Sequence, residues 1–303
     1  MAEITHYDCL IVGGGPAGLT AATYLARFRR NVVLVDAGQS RAALIPKTRN
    51  YPGFADGISG PDLLKAQWAQ AEKNGAQLVR GTVDDLRTVG NGGGFSATVG
   101  GRRITAAKVL LATGIVDTKP DLPSMREFIY RGAIRFCPVC DAFEVADKTI
   151  GVLGPAKHAL RKAIFLRTYS KNVVLLPLRE IELADDERRQ LDDAGIDMPN
   201  EPVTDLIADG DDITAIMASG ARRTVDVLYP SMGADVRSDL ATRLGARAND
   251  NACLFIDGEM RTSVPGLYAA GDVTLELHQI SVATGQAAIA ATDIHNSLPH
   301  NPR

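Results

Sequence analysis

Residues 7–12 (Tyr-Asp-Cys-Leu-Ile-Val) form a nearly continuous apolar run, the pattern of a strand buried on both faces of a parallel sheet. The turn Gly13-Gly14-Gly15-Pro16-Ala17-Gly18 follows, then a helical run from Leu19 to Arg30 and a second apolar run, Asn31-Val-Val-Leu-Val-Asp36. This order predicts a complete βαβ unit. The arrangement recurs once: Lys148-Thr-Ile-Gly-Val-Leu153 passes through Gly154-Pro155-Ala156-Lys157-His158-Ala159 into a helix reaching Thr168 and a strand from Asn172 to Leu176. Between the two units, the run after Gly60 reads as a helix with Pro61 or Asp62 in its first turn. Leu64, Trp68 and Ala71 fall on one face, with Trp68 expected in the core. Gly90-Asn-Gly-Gly-Gly94 reads as a hairpin, since no helix follows it. Late in the chain, Leu267-Tyr-Ala-Ala270 is a short buried strand ending in Gly271-Asp272, and Gly285-Gln-Ala-Ala-Ile-Ala-Ala291 starts a small-residue helix.

At 303 residues the chain suits two domains of ordinary size. The formal net charge is −3 and the basic residues are dispersed, so neither nucleic acid nor an anionic membrane is expected as a partner. Met1 to Tyr7 has no charged segment leading into an apolar one, and the apolar runs fall well short of the ~20 residues that span a bilayer. A soluble, cytoplasmic protein without a signal peptide is expected.

The first glycine turn has the spacing that cradles a dinucleotide. Gly13 permits the tight turn, Gly15 lets the backbone approach a pyrophosphate, Gly18 allows close helix packing, and the helix N-terminus favours negative charge. Asp36 ends the second strand, where it can accept hydrogen bonds from an unphosphorylated ribose. That admits either FAD or NAD. The Gly271-Asp272 turn has two readings: a backbone donor and carboxylate presented to a ligand, or a plain strand-to-helix turn with a capping acid.

Cys137-Pro-Val-Cys140 followed by Asp141 is the most specific chemistry in the chain; Cys9 and Cys253 lie far apart in apolar runs. Two intervening residues let one turn bring both sulfurs within bonding reach, and a turn opening a helix lowers a thiol pKa. Half of a zinc site is the alternative, but zinc wants four ligands and no second Cys-x-x-Cys or His pair at ligand spacing exists. No metal is expected. In a reducing compartment such a pair is more often catalytic than structural.

Taken in order, Asn50-Tyr-Pro-Gly-Phe54, Gly57-Ile-Ser-Gly-Pro61, Ala112-Thr-Gly114, the Cys137/Cys140 pair with Asp141, and Thr262-Ser-Val-Pro-Gly266 through Ala270-Gly-Asp272 resemble the low-molecular-weight thioredoxin reductase family over nearly the whole length. The resemblance implies an α/β fold of two Rossmann-like three-layer domains, the second inserted in the first. Residues 1–115 and 247–303 would bind FAD, and residues 116–246 would form an NAD(P)-binding-like domain carrying the disulfide. Thr118-Lys-Pro-Asp-Leu-Pro123 and Ser231-Met-Gly233 are the expected crossings and hinges. The resemblance also implies a homodimer. It assigns FAD contacts to Gly13, Gly15, Pro16, Ala17, Gly18, Asp36, Asn50, Thr113, Gly114, Gly271 and Asp272, the last meeting the ribityl chain. His278, Gln279 and Ile280 fall where the family has Arg-Gln before the last helix, so their backbone is expected at the flavin's pyrimidine edge. The His for Arg change leaves His278 either a side-chain role or a plain surface position. Cys140 becomes the flavin-proximal thiol, Cys137 the one that exchanges with substrate, and Asp141 the proton-moving group; an exposed acid at a helix start is its alternative.

The resemblance breaks at the second unit. The family places three glycines there to close on the NADPH pyrophosphate. This chain keeps Gly154, while Pro155 removes a donor and Ala156 adds a Cβ. Where the family has His-Arg-Arg and a later Arg for the 2′-phosphate, the chain reads Pro177-Leu178-Arg179-Glu180, with Leu183 at the later position. Each charge-assisted contact contributes roughly 1.5–3 kcal/mol, so losing three weakens binding by at least ~1,000-fold. NADPH is therefore not the expected donor. Lys157, His158, Arg161 and Lys162 form a basic cluster with three readings: another anion site, a solvated helix face, or a docking patch for an acidic redox protein.

The leading functional expectation is a thioredoxin-reductase-like enzyme acting on a thioredoxin-like protein or small disulfide, with ferredoxin or another reduced flavin as donor. An NADPH-dependent reductase with an unusual site stays open. So do an oxygen-using dithiol oxidase of the gliotoxin-oxidase type, whose members commonly have His where this chain has Asp141, and a flavin-binding redox sensor.

Overall fold

The computed structural model describes residues 5–90, 94–121, 125–178 and 183–301. In chain order the first elements are β1 (Thr5–Val12), α1 (Pro16–Arg27), β2 (Val32–Asp36), α2 (Gly60–Lys73), β3 (Gln77–Arg80), β4 (Val83–Val89), β5 (Gly94–Val99), β6 (Arg102–Leu111) and β7 (Ile115–Asp117). Next come α3 (Met125–Arg131), α4 (Pro138–Asp141), β8 (Ile150–Gly154), α5 (Ala156–Leu166), β9 (Val173–Pro177) and α6 (Asp185–Asp193). The chain ends with β10 (Val203–Asp209), β11 (Asp212–Met217), β12 (Arg222–Val225), β13 (Val227–Pro230), β14 (Ala234–Val236), α7 (Asp239–Thr242), β15 (Leu267–Ala269) and α8 (Ile280–Ser297).

The first sheet has seven strands in the order β3-β2-β1-β6-β5-β4, with β15 also on β6. The length of β6 makes this possible: residues 102–106 pair antiparallel with β5, while Val109–Leu111 pair parallel with Leu267–Ala269. Both faces of β1 and β2 are covered, as their unbroken apolar runs require. One core packs α1 and α8 over Cys9, Ile11, Val32 and Leu34, and the other sets Leu10, Val33, Val35 and Val109 against Phe95 and Leu267. Trp68 sits at the edge of the first core, half-buried, with the Arg80 guanidinium 4.1 Å above its ring.

The second unit is a parallel β13-β8-β9 sheet with α5 on one face and the antiparallel β10-β11-β12 sheet beyond the other. The chain enters it through β7 and leaves through β14, which pair antiparallel with Ile115 opposite Val236. Leu240, Ala241, Leu244 and Ala246 already pack in the first unit's core. The return thus lies at β14, about ten residues before the expected 246/247 boundary, because α7 buries its apolar face against the first sheet. The last helix also departs from expectation. It starts at Ile280 rather than Gly285, with Gln279 as N-cap, and Gly285 lies exposed within it. The expected crossing at 118–123 lies partly, and the glycine hairpin at 90–94 mostly, outside the described residues.

Candidate functional site

The glycine turn owes its shape to three close approaches. A Cβ on Gly13, whose φ is +111°, would lie 2.2 Å from the Ala112 carbonyl oxygen. One on Gly18 would lie 1.9 Å from the Gly13 carbonyl oxygen, and one on Gly14 would collide with the Asp36 carboxylate. Only glycine fits. With Pro16 at the start of α1, the turn delivers the first N–H groups of a twelve-residue helix to open space. Asp36 Oδ1 accepts from the Gly14 N–H at 3.2 Å and the Gly38 N–H at 3.0 Å, and its other oxygen pairs with Arg80.

These residues form one end of a cleft of about 770 Å³ that runs between the two units. Gly13, Gly15, Pro16, Ala17, Asp36, Asn50, Thr113, Gly114, Cys137, Cys140, Asp141, Gly271, Asp272, His278, Gln279 and Ile280 all line it. Gly18 alone among the expected residues does not; it acts through helix packing. Gly114, at φ +67°, has nothing within 4 Å of its Cβ direction. The open space beside Gly114, the start of α1 with no side-chain cap, an acid at the second strand's end and a cleft of this size fit FAD. Several expected contacts are also engaged within the protein: besides Asp36, Thr113 Oγ1 donates to the Arg237 carbonyl at 2.6 Å, the Gly271 N–H donates to Gln286 Oε1 at 2.7 Å, and Asp272 Oδ2 accepts from Arg41 Nη1.

Arg41, which the sequence did not single out, grips Asp117 with two nitrogens at 2.6 and 2.8 Å and reaches Asp272 at 3.1 Å. Burial alone would lower its pKa, yet the two carboxylates overcome this and raise it. It joins the first unit, through Asp272, to the crossing strand β7.

Cys137 and Cys140 are joined as a disulfide at the cleft wall. The helix expected to open here is one turn, Pro138–Asp141, followed by a 3₁₀ turn at Ala142–Val145. So short a helix has little dipole with which to stabilise a thiolate. Polar side chains from the other unit approach instead. Gln279 Nε2 lies 3.3 Å from both sulfurs, and Asn50 Nδ2 donates to Gln279 Oε1 at 2.9 Å and to the Val139 carbonyl at 3.3 Å.

Asp141 faces inward. Its Oδ1 accepts from the fully buried Tyr229 hydroxyl at 2.7 Å, and Arg135 Nη1 stands 3.5 Å from Oδ2. Burial pushes the carboxyl above its usual range, against the opposing pull of Arg135 and Tyr229. Burial and the adjacent carboxylate likewise push the Tyr229 hydroxyl up. Tyr229 escaped the sequence reading, although a hydroxyl in the apolar strand Val227–Pro230 signals a hidden partner.

The second glycine turn is arranged differently. A Cβ on Gly154 would lie 2.5 Å from the Ser231 carbonyl oxygen, as one on Gly13 would meet the Ala112 carbonyl, but Pro155 and Ala156 follow it in place of further glycines. Among the described residues, the cleft takes no lining from 142–234. In the basic cluster, His158 and Arg161 are exposed. Lys162 points inward, donating to the Pro230 carbonyl at 2.6 Å and the Phe136 carbonyl at 3.2 Å, and burial lowers it to about 8. It is half-buried, and two backbone carbonyls already engage its ammonium. Arg179 and Glu180, and the Lys157 side chain, lie outside the described residues. Among the described residues, no cluster of three or more His, Cys, Asp or Glu could hold a metal, and no helix is long and apolar enough to cross a membrane.

The family described as pyridine nucleotide-disulphide oxidoreductase matches residues 7–287. A thioredoxin reductase of Listeria monocytogenes is 30% identical over 302 residues, covering 95% of this chain and 93% of the relative. Among solved structures, HlmI superposes with a TM-score of 0.88 at 31% identity, covering 96% of this chain and 92% of its own. The thioredoxin reductase of Streptococcus pyogenes superposes at 0.86 with 26% identity, covering 97% and 98%.

Proposed function

Because the chain belongs to the pyridine nucleotide-disulphide oxidoreductase family and is an oxidoreductase of thioredoxin-reductase type, we propose that its Cys137–Cys140 pair passes two electrons to a disulfide of a thioredoxin-like protein or small molecule, drawing them from a donor other than NADPH. The observation that carries this reading is the disulfide's place in the wall of the cleft that the glycine turn opens. Gly13, Gly15, Ala17, Asp36, Gly114 and Asp272 would hold FAD, which when bound supplies a two-electron carrier inside the cleft.

The chain's own residues perform the exchange. With the pair reduced, the Cys137 thiolate attacks one sulfur of the substrate disulfide; a mixed disulfide forms and the first substrate thiolate leaves, taking a proton. The Cys140 thiolate then attacks the Cys137 sulfur, re-forming Cys137–Cys140 and releasing the second substrate thiolate, which takes the second proton. Asp141, protonated more readily than an ordinary carboxyl, is the group that moves these protons. The donor class this reading assigns is a reduced ferredoxin or reduced flavin. The second turn presents Pro155 and Ala156 where a pyrophosphate would need close backbone, and Lys162 is already engaged.

Stopped-flow mixing tests this. NADPH should bleach the oxidised yellow protein slowly or not at all, whereas reduced ferredoxin should bleach it and generate two thiols. Rapid bleaching at micromolar NADPH refutes the donor assignment. Replacing Cys140 should abolish transfer with FAD retained.

A further inference from the structure

The one-turn helix at the disulfide leaves open what stabilises the negative charge that appears when the sulfur–sulfur bond opens. The answer lies on the other unit, in a directed chain of hydrogen bonds. The buried Thr48 is fixed by reciprocal backbone bonds with Ile58, at 2.8 and 3.0 Å. Its hydroxyl donates to Asn50 Oδ1 at 3.0 Å. That leaves Asn50 Nδ2 to donate to Gln279 Oε1 and to the Val139 carbonyl. With its oxygen so occupied, Gln279 must turn Nε2 toward the sulfurs, 3.3 Å from each. The backbone of Gln279 is itself held, its N–H on the Leu277 carbonyl and its carbonyl receiving the Ala283 N–H, both at 2.9 Å.

We propose that Gln279 is a catalytic residue of the disulfide exchange, its amide N–H groups taking up the charge that develops on either sulfur, with Asn50 as the positioning residue that aims the amide and holds the cysteine turn through Val139. A preorganised donor aimed at developing charge is worth more than one in water. Nε2 stands equally far from both sulfurs, and Oε1 also lies 3.6 Å from Cys140 Sγ, where it can accept from the Cys140 thiol, so the amide reaches both sulfurs and acts in both halves of the exchange. The same bonds tie the second unit's cysteine turn to the first unit while the pair faces the cleft. The proposal rests on Cys137–Cys140 being the redox pair, and it reassigns Asn50 and Gln279 from holding cofactor to handling sulfur.

The test uses the full-length flavin-loaded protein with Gln279→Leu, the near-isosteric Gln279→Glu, and Asn50→Ala. Bound flavin per chain and the pH at which the reduced pair becomes half-reactive toward iodoacetamide are read alongside turnover. All three variants should keep wild-type flavin content. The two Gln279 variants should slow exchange by about 10- to 100-fold, as expected for losing a hydrogen bond to a charged group. Their half-reactive point should move to higher pH by about one unit, further for Gln279→Glu, and Asn50→Ala should move it less. Wild-type alkylation profiles in both Gln279 variants overturn the proposal, as does loss of flavin with the profile unchanged. Failure of the underlying reading looks different: the wild type itself would then show no pair of thiols appearing on reduction.

Discussion

The two βαβ units of this chain share an architecture and differ in how many glycines their turns hold and in whether the turn opens into the cleft. In the first, Gly13, Gly14 and Gly18 make room for backbone and for Asp36, and the turn opens into the cleft. In the second, the lack of a Cβ at Gly154 is taken up by the Ser231 carbonyl, and the strand ends in Pro177 rather than an acid. The lesson is that a strand-turn-helix persists for packing reasons after the residues that would serve a phosphate are gone. The helix α5 keeps its apolar face, with Ala159, Leu160, Ala163 and Leu166 all buried, although its N-terminus carries no glycine cradle.

Substitution at one glycine of each turn would separate the two units most sharply. Gly18→Val should destabilise the fold by at least ~1–3 kcal/mol through overpacking and abolish flavin binding. Gly154→Ala should cost a comparable amount of stability yet leave flavin per chain unchanged. Visible absorbance and denaturant midpoints report both, and loss of flavin in Gly154→Ala would erase the distinction. Next in size is Asp141→Asn, expected to slow disulfide exchange by roughly 10²–10⁴-fold. Tyr229→Phe removes the hydroxyl that turns the carboxyl inward and should shift the pH profile of exchange while slowing it less. An unaltered profile would remove Tyr229 from the proton path.

A smaller effect is expected from rebuilding the second turn. Pro155→Gly with Ala156→Gly should raise NADPH oxidation by less than about tenfold, because charge-assisted contacts to the 2′-phosphate would still be missing. A larger gain would mean that the turn alone blocks NADPH.

The smallest effects are in stability against pH. Burial raises the Asp141 pKa in the fold, so its contribution to stability is complete below pH 3.8 and is lost as pH rises through the folded value. Thermal melts should show Asp141→Asn gaining on the wild type across that window. For Lys162 the sign reverses. Its folded value is about 8 against an ordinary 10.5, so between these limits the unfolded chain holds more protons and stability rises with pH. Relative to Lys162→Met, the wild type should gain over that interval.

Much of this arrangement was readable in the chain itself, because turns and buried parallel strands leave local signatures. The first βαβ unit, the cysteine pair and the strand before Gly271-Asp272 were all visible as contiguous patterns. What escaped depends on contacts between distant segments. Arg41 reaches Asp117 and Asp272 across the cleft, and Tyr229 meets Asp141 only because β13 runs beneath the cysteine turn. Lys162 read as part of a surface cluster, and a helical pattern cannot tell that two carbonyls from Phe136 and Pro230 converge on it. The early return to the first unit was hidden for a similar reason. Ala241 and Ala246 carry little apolar weight in the sequence, yet the first core closes over both.

The side-by-side strands β7 and β14 have a consequence for how such molecules diversify. Antiparallel partners stand about 4.5–5.5 Å apart, so the two ends of the second unit, at Ile115 and Val236, are separated by a gap that a residue or two can bridge. The unit is thus a cassette, whose excision or exchange would leave the threading of the seven-stranded sheet as it is.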